Sequence, residues 1–310
     1  MKIFNNLKLI ANVIIILFLS GCARNTTPSA PINQQPSLYD IHFGTDETFE
    51  IITWNIEHFP KQNNTTVQMV KDIILAIDAD VYALQEIESR SYFNSLVDEL
   101  NIADSINTWT HYRAGGNSTW QELSYIIKSN ILTIINEPFE IYPDEWSAFP
   151  REPFIFELFF NNDSIRVINN HLKCCSGESE ESRRQLASEL LQEWVEDHSD
   201  YKNVIIVGDW NDEISEPEST NVFWNFIENG QQYLFADMEI AEDPTKSSWS
   251  YPDWPSHIDH ILITDELFDE FENPLSEIQT ILVGEYLPGA FIEYNQKVSD
   301  HLPVGLKLKF

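Results

Sequence analysis

Eight polar residues of this chain follow runs of apolar residues, at points where strands of a sheet are expected to end. They are Asn55, Glu86, His171, Asp209, Asn211, Asp259, Asp300 and His301. Carboxylate and amide oxygens bind hard divalent cations, and histidine exchanges protons near neutral pH. Each residue taken alone is compatible with a cap or a turn. Because open α/β sheets expose functional side chains at their strand ends, the recurrence predicts one shared site for metal binding and acid–base chemistry.

The segment Gly208-Asp209-Trp210-Asn211-Asp212 is the first specific motif. Its glycine frees the backbone to turn, and residues 209 and 211 can then point into one pocket. A carboxylate at that position orients a water or holds a metal, while a neutral amide steadies a phosphoryl oxygen without adding negative charge. The alternative is a simple Gly-Asp turn, which is common in loops.

The segment Ser299-Asp300-His301 is the second motif. A histidine that exchanges protons is best held in one tautomer by a carboxylate on its other ring nitrogen. Asp259, from a distant part of the chain, is the candidate partner. Asp300 is then expected to face a metal or a water, because its side chain leaves the backbone in another direction from that of His301.

Short apolar runs that alternate with amphipathic ones predict the elements that position these residues. Strands are expected at 49–54, 81–84, 204–207, 258–263 and 304–308, with further strands and a hairpin within 122–135 and 154–170. Helices are expected at 67–77, 92–100, 178–194 and around 223–227. The 178–194 helix is expected to bury one stripe formed by Leu186, Leu190, Leu191, Trp194 and Val195. Two sheets packed face to face, with helices outside, follow from this pattern.

Six motifs in order resemble those of the endonuclease/exonuclease/phosphatase superfamily, which includes deoxyribonuclease I, sphingomyelinases and inositol polyphosphate 5-phosphatases. They are Trp54-Asn55, Gln85-Glu86, Asn170-His171, Gly208-Asp209-Trp210-Asn211, Ile258-Asp259 and Ser299-Asp300-His301. The resemblance runs from about Ile51 to the C-terminus. It implies a single α/β domain with a four-layer α/β/β/α sandwich that binds Mg²⁺, and the oxygen ligands suit Mn²⁺ or Ca²⁺ as alternatives.

The resemblance also implies a role for each residue in a phosphoester hydrolase. Glu86 and Asn55 would lie at the metal, and Asp300 would support the metal or His301. His171 and Asn211 would hold the phosphate, Asp209 would orient or activate the attacking water, and Asp259 with His301 would act as acid and base.

Local similarity adds three residues near the phosphate. Arg151 resembles a phosphate-neighbouring arginine of deoxyribonuclease I, although a surface ion pair is the alternative. Glu122 is expected to orient His171, and Tyr125 is expected to reach the phosphate.

Three features count against duplex DNA as the substrate. The chain has Glu88 where deoxyribonuclease I has a basic residue, and His171 is followed by Cys174-Cys175-Ser176-Gly177, which resembles no DNA-clamping loop. The formal net charge of −32 also disfavours tight, sequence-independent binding to nucleic acid. The neighbouring cysteines are expected to form a strained vicinal disulfide or to be free thiols, and a soft-metal contact is a weaker alternative.

The N-terminus predicts a lipoprotein. Lys2 and Lys8 precede an apolar run at 9–19, and Leu19-Ser20-Gly21-Cys22 resembles a bacterial lipobox. Residues 1–21 are therefore assigned to a lipoprotein signal peptide, residues 22–47 to a lipidated Cys22 and a flexible tether, and residues 48–310 to the catalytic domain. A monomer outside the cytoplasm, anchored by lipid to the bacterial membrane and preferentially to the outer one, is expected.

Three functions remain open from the sequence. The leading hypothesis is an extracytoplasmic phosphodiesterase or nuclease acting on DNA or RNA. Within the same fold, a sphingomyelinase-like or inositol-phosphatase-like enzyme would act on a lipid headgroup or a phosphorylated small molecule. The third is a non-catalytic surface-binding lipoprotein, in which Trp109, Trp120, Trp146 and Trp254 would form a ligand platform.

Overall fold

The computed structural model describes residues 36–115, 120–200 and 202–310. Cys22, the predicted signal peptide and most of the predicted tether lie outside the described residues. The strands are β1 (Phe49–Phe59), β2 (Val81–Ile87), β3 (Trp109–Arg113), β4 (Glu122–Lys128), β5 (Thr133–Glu140), β6 (Phe154–Phe160), β7 (Asp163–His171), β8 (Val204–Asp209), β9 (Tyr233–Phe235), β10 (Asp259–Thr264), β11 (Glu277–Thr280) and β12 (Val304–Leu308). The helices are α1 (Asn64–Ile77), α2 (Arg90–Ala103), α3 (Glu178–Asp197), α4 (Trp224–Ile227), α5 (Met238–Ala241), α6 (Phe268–Phe271) and α7 (Ala290–Lys297).

The strands form two mixed sheets of six strands each. One sheet has the order β11-β12-β1-β2-β4-β3, and the other has the order β5-β6-β7-β8-β10-β9. Each sheet contains one parallel pair, β1 with β2 and β7 with β8. A parallel pair requires a long crossover connection, and α1 and α3 supply these crossovers.

Three apolar clusters fill the spaces between four layers. Ile51, Ala83 and Val167 belong to the cluster between the two sheets. A second cluster packs α1 and α2 on the outer face of the first sheet, and a third packs α3 on the outer face of the second. Burial of apolar surface on both faces of each sheet holds the layers together. The predicted four-layer sandwich is thus confirmed.

The structure corrects several details of the sequence-based elements. Residues 122–135 contain one strand and the start of another, and these two, β4 and β5, belong to different sheets. Leu186, expected in the buried stripe of α3, is exposed, and Ala187 and Ser188 are buried instead. Ile41 and Phe43, which the sequence placed in the tether, are buried against the first sheet. The packed domain therefore begins before the predicted boundary at Thr48.

Trp109, expected as part of an exposed platform, is also buried, whereas Trp120, Trp146 and Trp254 are exposed. Among the described residues, no helix is both long enough and apolar enough to span a bilayer.

Candidate active site

The two parallel strand pairs bring the first four predicted residues together. Asn55 and Glu86 come from β1 and β2, and His171 and Asp209 end β7 and β8 in adjacent register. Asn55 Nδ2 donates to Glu86 Oε1 at 3.2 Å and to Asp209 Oδ2 at 3.0 Å. His171 Nε2 lies 3.3 Å from Asp209 Oδ2. The carboxyl ends of the parallel strands therefore meet across the two sheets.

An irregular stretch of β1 holds Glu86 in place. The register between β1 and β2 shifts after Asn55, and Glu57 and His58 both have positive φ. The shift turns the backbone N–H of His58 toward Glu86 Oε2, to which it donates at 2.9 Å. Glu57 N–H donates to Asn55 Oδ1 at 3.0 Å. Asn55 thus presents its amide nitrogen, and not its oxygen, to the two carboxylates.

His301 and Asp259 form the predicted pair. His301 Nδ1 lies 2.8 Å from Asp259 Oδ2, and both side chains are buried. The other ring nitrogen, Nε2, faces Asp209 Oδ2 and Asp300 Oδ1, each at 3.9 Å. Burial alone would lower the pKa of His301, but the carboxylates of Asp259 and Asp209 raise it to about 10. His301 therefore carries a proton at neutral pH.

Asp209 is the carboxyl group whose charge the site disfavours. Burial is the main cause that raises the pKa of Asp209 to about 7, and the carboxylates of Asp259 and Glu86 add to it against the opposing effect of His301. Burial also lowers the pKa of His171, as do the charges of Arg151 and His301. The site thus combines a protonated imidazole, a neutral imidazole and a carboxyl group that titrates near neutral pH.

Hydrogen bonds of the Ser299 and Tyr294 side chains fix the loop that carries His301. Ser299 Oγ donates to the carbonyl oxygen of Asn55 at 2.7 Å and accepts from the His301 N–H at 3.0 Å. Tyr294 Oη donates to the carbonyl oxygen of His301 and accepts from Trp54 Nε1 at 2.8 Å. The loop is therefore fastened to β1, the strand that also carries Asn55.

A pocket of about 820 Å³ opens over these groups. Seven of the eight predicted residues line it, and the eighth, Asp259, lies behind His301. Asn211, with φ of +57°, joins the pocket because its N–H donates to Asp209 Oδ1 and its Nδ2 donates to the carbonyl oxygen of Leu172. The sequence missed Glu57, His58 and Tyr251, whose ring centre lies 4.7 Å from that of His301. Glu57 was detectable from its position two residues after Asn55, whereas no motif marks the loop of Tyr251.

The three locally assigned residues have different positions. Arg151 lines a smaller pocket that adjoins Glu86 and His171. Glu122 is paired with Arg113 and with Arg90, the latter at 3.1 Å, so these arginines and not His171 are its partners. Tyr125 is buried between the sheets, where its Oη donates to the carbonyl oxygen of Phe154 at 2.7 Å. Tyr125 therefore does not reach the phosphate site, because β4 turns this side chain into the core.

The donor groups of the site fit a divalent cation. Asp259 Oδ1 and Asp300 Oδ1 are buried without a hydrogen-bond partner among the described residues. Asp209 and Asp259 offer carboxylate oxygens within 4.8 Å of each other, and Asn55 donates to the carboxylates of both Glu86 and Asp209. Such a concentration of carboxylates is stabilised by a bound cation, and oxygen donors prefer a hard one.

A second buried cluster, formed by Asp237, His257 and His260, lies against the loop that carries Asn211. Asp237 Oδ2 lies 2.6 Å from His260 Nδ1 and 3.0 Å from His257 Nε2. His260 Nε2 donates to the carbonyl oxygen of Asp212 at 3.0 Å. The two histidines hold the pKa of Asp237 well below its usual range, against the effect of burial. The cluster ties β10 to the loop that carries Asn211.

The two cysteines lie at the edge of the pocket. Both are exposed free thiols, and their Sγ atoms are 2.9 Å apart. Of the expected alternatives, the structure has the free thiols.

Comparisons with known proteins show the family and the fold of this chain. Residues 52–301 match the sequence model of the Endonuclease/Exonuclease/phosphatase family. The chain therefore belongs to that family, whose members are phosphoester hydrolases that depend on a divalent metal. No curated protein matches the chain by sequence.

Solved structures share the fold at low sequence identity. Truncated TDP2 from Caenorhabditis elegans matches with a TM-score of 0.61 and 15% identity over 85% of this chain and 98% of that chain. The human Nocturnin catalytic domain, with a bound sulfate anion, matches with a TM-score of 0.59 and 16% identity over 89% and 99%. D. rerio TDP2 complexed with a single-strand DNA product matches with a TM-score of 0.59 and 13% identity over 86% and 100%.

Proposed function

We propose that the chain is a Mg²⁺-dependent phosphodiesterase of the nuclease type. The observation that carries the proposal is the meeting in one pocket of His301, whose Nδ1 is paired with Asp259 at 2.8 Å, and of Asp209, whose Oδ2 lies 3.9 Å from His301 Nε2. An acid and a base of this kind on one phosphate are what hydrolysis of a phosphodiester requires. The D. rerio relative bound to a single-strand DNA product supports nucleic acid as the substrate class.

Glu86 would hold the cation with help from Asp300, and Asn55, which donates to Glu86 and Asp209, would keep these two carboxylates in place. When bound, a divalent cation neutralises charge on a phosphoryl oxygen and on the leaving oxygen. Mn²⁺ and Ca²⁺ are the alternative ions for these oxygen ligands.

Side chains of the protein would bind the phosphate, activate the water and protonate the leaving group. Asn211 and the neutral His171 donate hydrogen bonds to the phosphate without requiring a further charge. Asp209 orients the attacking water and accepts its proton. His301, oriented by Asp259, stabilises the developing negative charge and supplies a proton on the leaving side.

The experiment is a substrate screen of the purified full-length protein with Mg²⁺, Mn²⁺ or Ca²⁺. DNA, RNA, sphingomyelin and inositol phosphates are compared for the wild type and for His301→Ala. Hydrolysis of DNA or RNA that falls by about 10²-fold or more in His301→Ala is expected. A protein that cleaves only sphingomyelin or inositol phosphates would replace the nuclease assignment, and a protein inactive on all of them would support the non-catalytic surface-binding alternative.

We further propose that the enzyme is a monomeric lipoprotein outside the cytoplasm, anchored through Cys22. The lipobox-like sequence before Cys22 supports this proposal. Fractionation of bacterial cells tests it. The wild type is expected in the membrane fraction and Cys22→Ser in the soluble extracytoplasmic fraction, and an unchanged distribution would contradict the anchor.

A further inference from the structure

A second pocket, of about 400 Å³, adjoins the catalytic pocket. The two share His58, Glu86, His171 and Cys174. The smaller pocket is lined in addition by Trp120, Gln121, Pro150, Arg151, Lys173 and Arg183. His171 therefore lies between the two pockets. A substrate whose phosphate contacts His171 can extend from there into the smaller pocket.

The smaller pocket is lined by three cationic side chains that form no ion pair within the described residues, although the charges of Glu86 and Asp209 act on Arg151. Most lysines and arginines of the described part of the chain lie against a carboxylate, as Arg184 does at 2.7 Å from Asp212. Arg151, Lys173 and Arg183 have no carboxylate within ion-pair distance among the described residues. In a protein with a net charge of −32, three such cations around one pocket form a local anion site.

The cationic groups are held in place by neutral partners. Arg183 Nη2 donates to the carbonyl oxygen of Trp146 at 2.8 Å, and its Nε donates to that of Ser147. Lys173 Nζ donates to the carbonyl oxygen of Cys174 at 3.1 Å. These oxygens orient the charges without cancelling them.

Arg151 supplies the strongest evidence for an anion-binding site. It is 9% exposed, and its Nε is buried without a hydrogen-bond partner among the described residues. An unsatisfied buried donor on a charged group is costly unless an acceptor reaches it. Its guanidinium lies 5.5 Å from the ring centre of Trp120, and that tryptophan is 59% exposed at the pocket. An exposed indole ring next to fixed cations is a platform on which a base can stack.

The larger pocket has the opposite charge. Glu181, Asp212, Glu213 and Glu216 line it, and its arginine, Arg184, is already paired with Asp212. A second phosphate of the substrate is repelled there and attracted to the smaller pocket. This asymmetry favours a strand that carries its additional phosphate on one side of the scissile bond.

We propose that the smaller pocket binds the second phosphate and the adjoining base of a short nucleotide substrate, through Lys173, Arg183 and Trp120, while Arg151 contacts the scissile phosphate. This inference rests on the proposed phosphodiesterase function. It makes a substrate that carries a further phosphate on that side of the scissile bond the preferred one.

The test compares dithymidine monophosphate with its 5′-phosphorylated and 3′-phosphorylated forms. We expect the wild type to hydrolyse one of the phosphorylated forms with a kcat/KM about tenfold higher or more, as charge-assisted hydrogen bonds to one further phosphate provide. Lys173→Gln and Arg183→Gln should each reduce that preference by about threefold to tenfold, and the double variant should abolish it. Lys202→Gln is the control. It removes an exposed charge just before the N-terminal end of β8, the end opposite to Asp209, and should keep the preference.

The ratio of two kcat/KM values from one sample does not depend on the folded fraction, so a partly unfolded variant still gives a valid result. Equal hydrolysis of all three substrates by the wild type, or a preference that survives in the double variant, overturns the inference and leaves the phosphodiesterase assignment intact. Hydrolysis of sphingomyelin or inositol phosphates without any dinucleotide cleavage also overturns it. A wild type inactive on every phosphoester overturns the proposed function, and the inference falls with it.

Discussion

At the scale of single residues, His301 depends on Asp259 for its charge. The ring is buried, and an isolated buried imidazole is normally neutral. Asp259 Oδ2 at 2.8 Å from Nδ1 reverses that preference and also fixes the direction of Nε2 toward the pocket. Asp259 thus fixes the orientation of the ring and, together with Asp209, favours its protonated form.

Asp259→Asn is therefore expected to lower the pKa of His301 and to reduce kcat by about 10²-fold to 10⁴-fold. The pKa is measured by NMR titration of the metal-free protein, with His301→Gln used to assign the signal. Asp269→Asn, an exposed acid on α6, is the matched control and should change neither quantity. A His301 pKa that is the same in Asp259→Asn and in the wild type would show that the pair does not control the proton.

At the scale of elements, the close contact of β7 and β8 brings Asp209 beside His171. Gly208 has φ of +152°, and a Cβ at this position would lie 2.1 Å from the carbonyl oxygen of Asn170. That oxygen belongs to the neighbouring strand of the parallel pair, so it cannot move aside without disturbing the sheet. Only glycine lets β8 approach β7 closely enough to bring Asp209 beside His171.

Gly208→Ala should destabilise the protein by about 2–4 kcal/mol, because backbone strain and overpacking act together. Urea denaturation measures the change. Gly230→Ala is the control, since its added Cβ would meet only one atom, at 3.7 Å, and should leave stability nearly unchanged. Equal stability of Gly208→Ala and the wild type would mean that the strands tolerate a wider separation.

The strands and the site residues differ in how far the sequence predicts them. Asn55, Glu86, His171 and Asp209 were recognisable because each follows an apolar run, and chain order together with the two parallel pairs brings those strand ends together. Glu122 and Tyr125 were placed wrongly because a motif cannot say which face of β4 a residue occupies. The edge strands β3, β9 and β11 were missed because short, partly exposed strands carry little hydrophobic periodicity. The cluster of Asp237, His257 and His260 depends on tertiary packing alone.

At the scale of the whole molecule, one buried acidic pair couples stability to pH. Glu50 and Asp80 are buried at the end of the first sheet remote from Asn55, and the Glu50 N–H donates to Asp80 Oδ2 at 3.1 Å. Burial and the neighbouring carboxylate of Asp80 raise the pKa of Glu50 to about 8, and burial raises that of Asp80 to about 6. The fold thus favours the protonated form of both groups relative to the unfolded chain.

Because the folded pKa is raised, the stabilising contribution of Glu50 is complete below its unfolded pKa of 4.5 and is lost as the pH rises to about 8. The slope is at most about 1.4 kcal/mol per pH unit for one proton. Glu50→Gln is neutral at every pH, so its stability relative to the wild type should increase between pH 5 and pH 8. Urea denaturation at several pH values measures this difference. Glu47→Gln, an exposed neighbour, should follow the wild type, and parallel curves for all three proteins would refute the coupling.

The most direct test of the catalytic assignment is the metal dependence of hydrolysis in Glu86→Gln. The wild type should lose hydrolysis of bis-p-nitrophenyl phosphate in EDTA and recover it with Mg²⁺. Glu86→Gln, which keeps the shape of the side chain but removes its charge, should require about 10–100-fold more Mg²⁺ for half-maximal activity. Glu189→Gln, an exposed change on α3, should titrate like the wild type. Activity that persists in EDTA, or an unchanged Mg²⁺ requirement in Glu86→Gln, would contradict a metal-dependent phosphodiesterase built on this site.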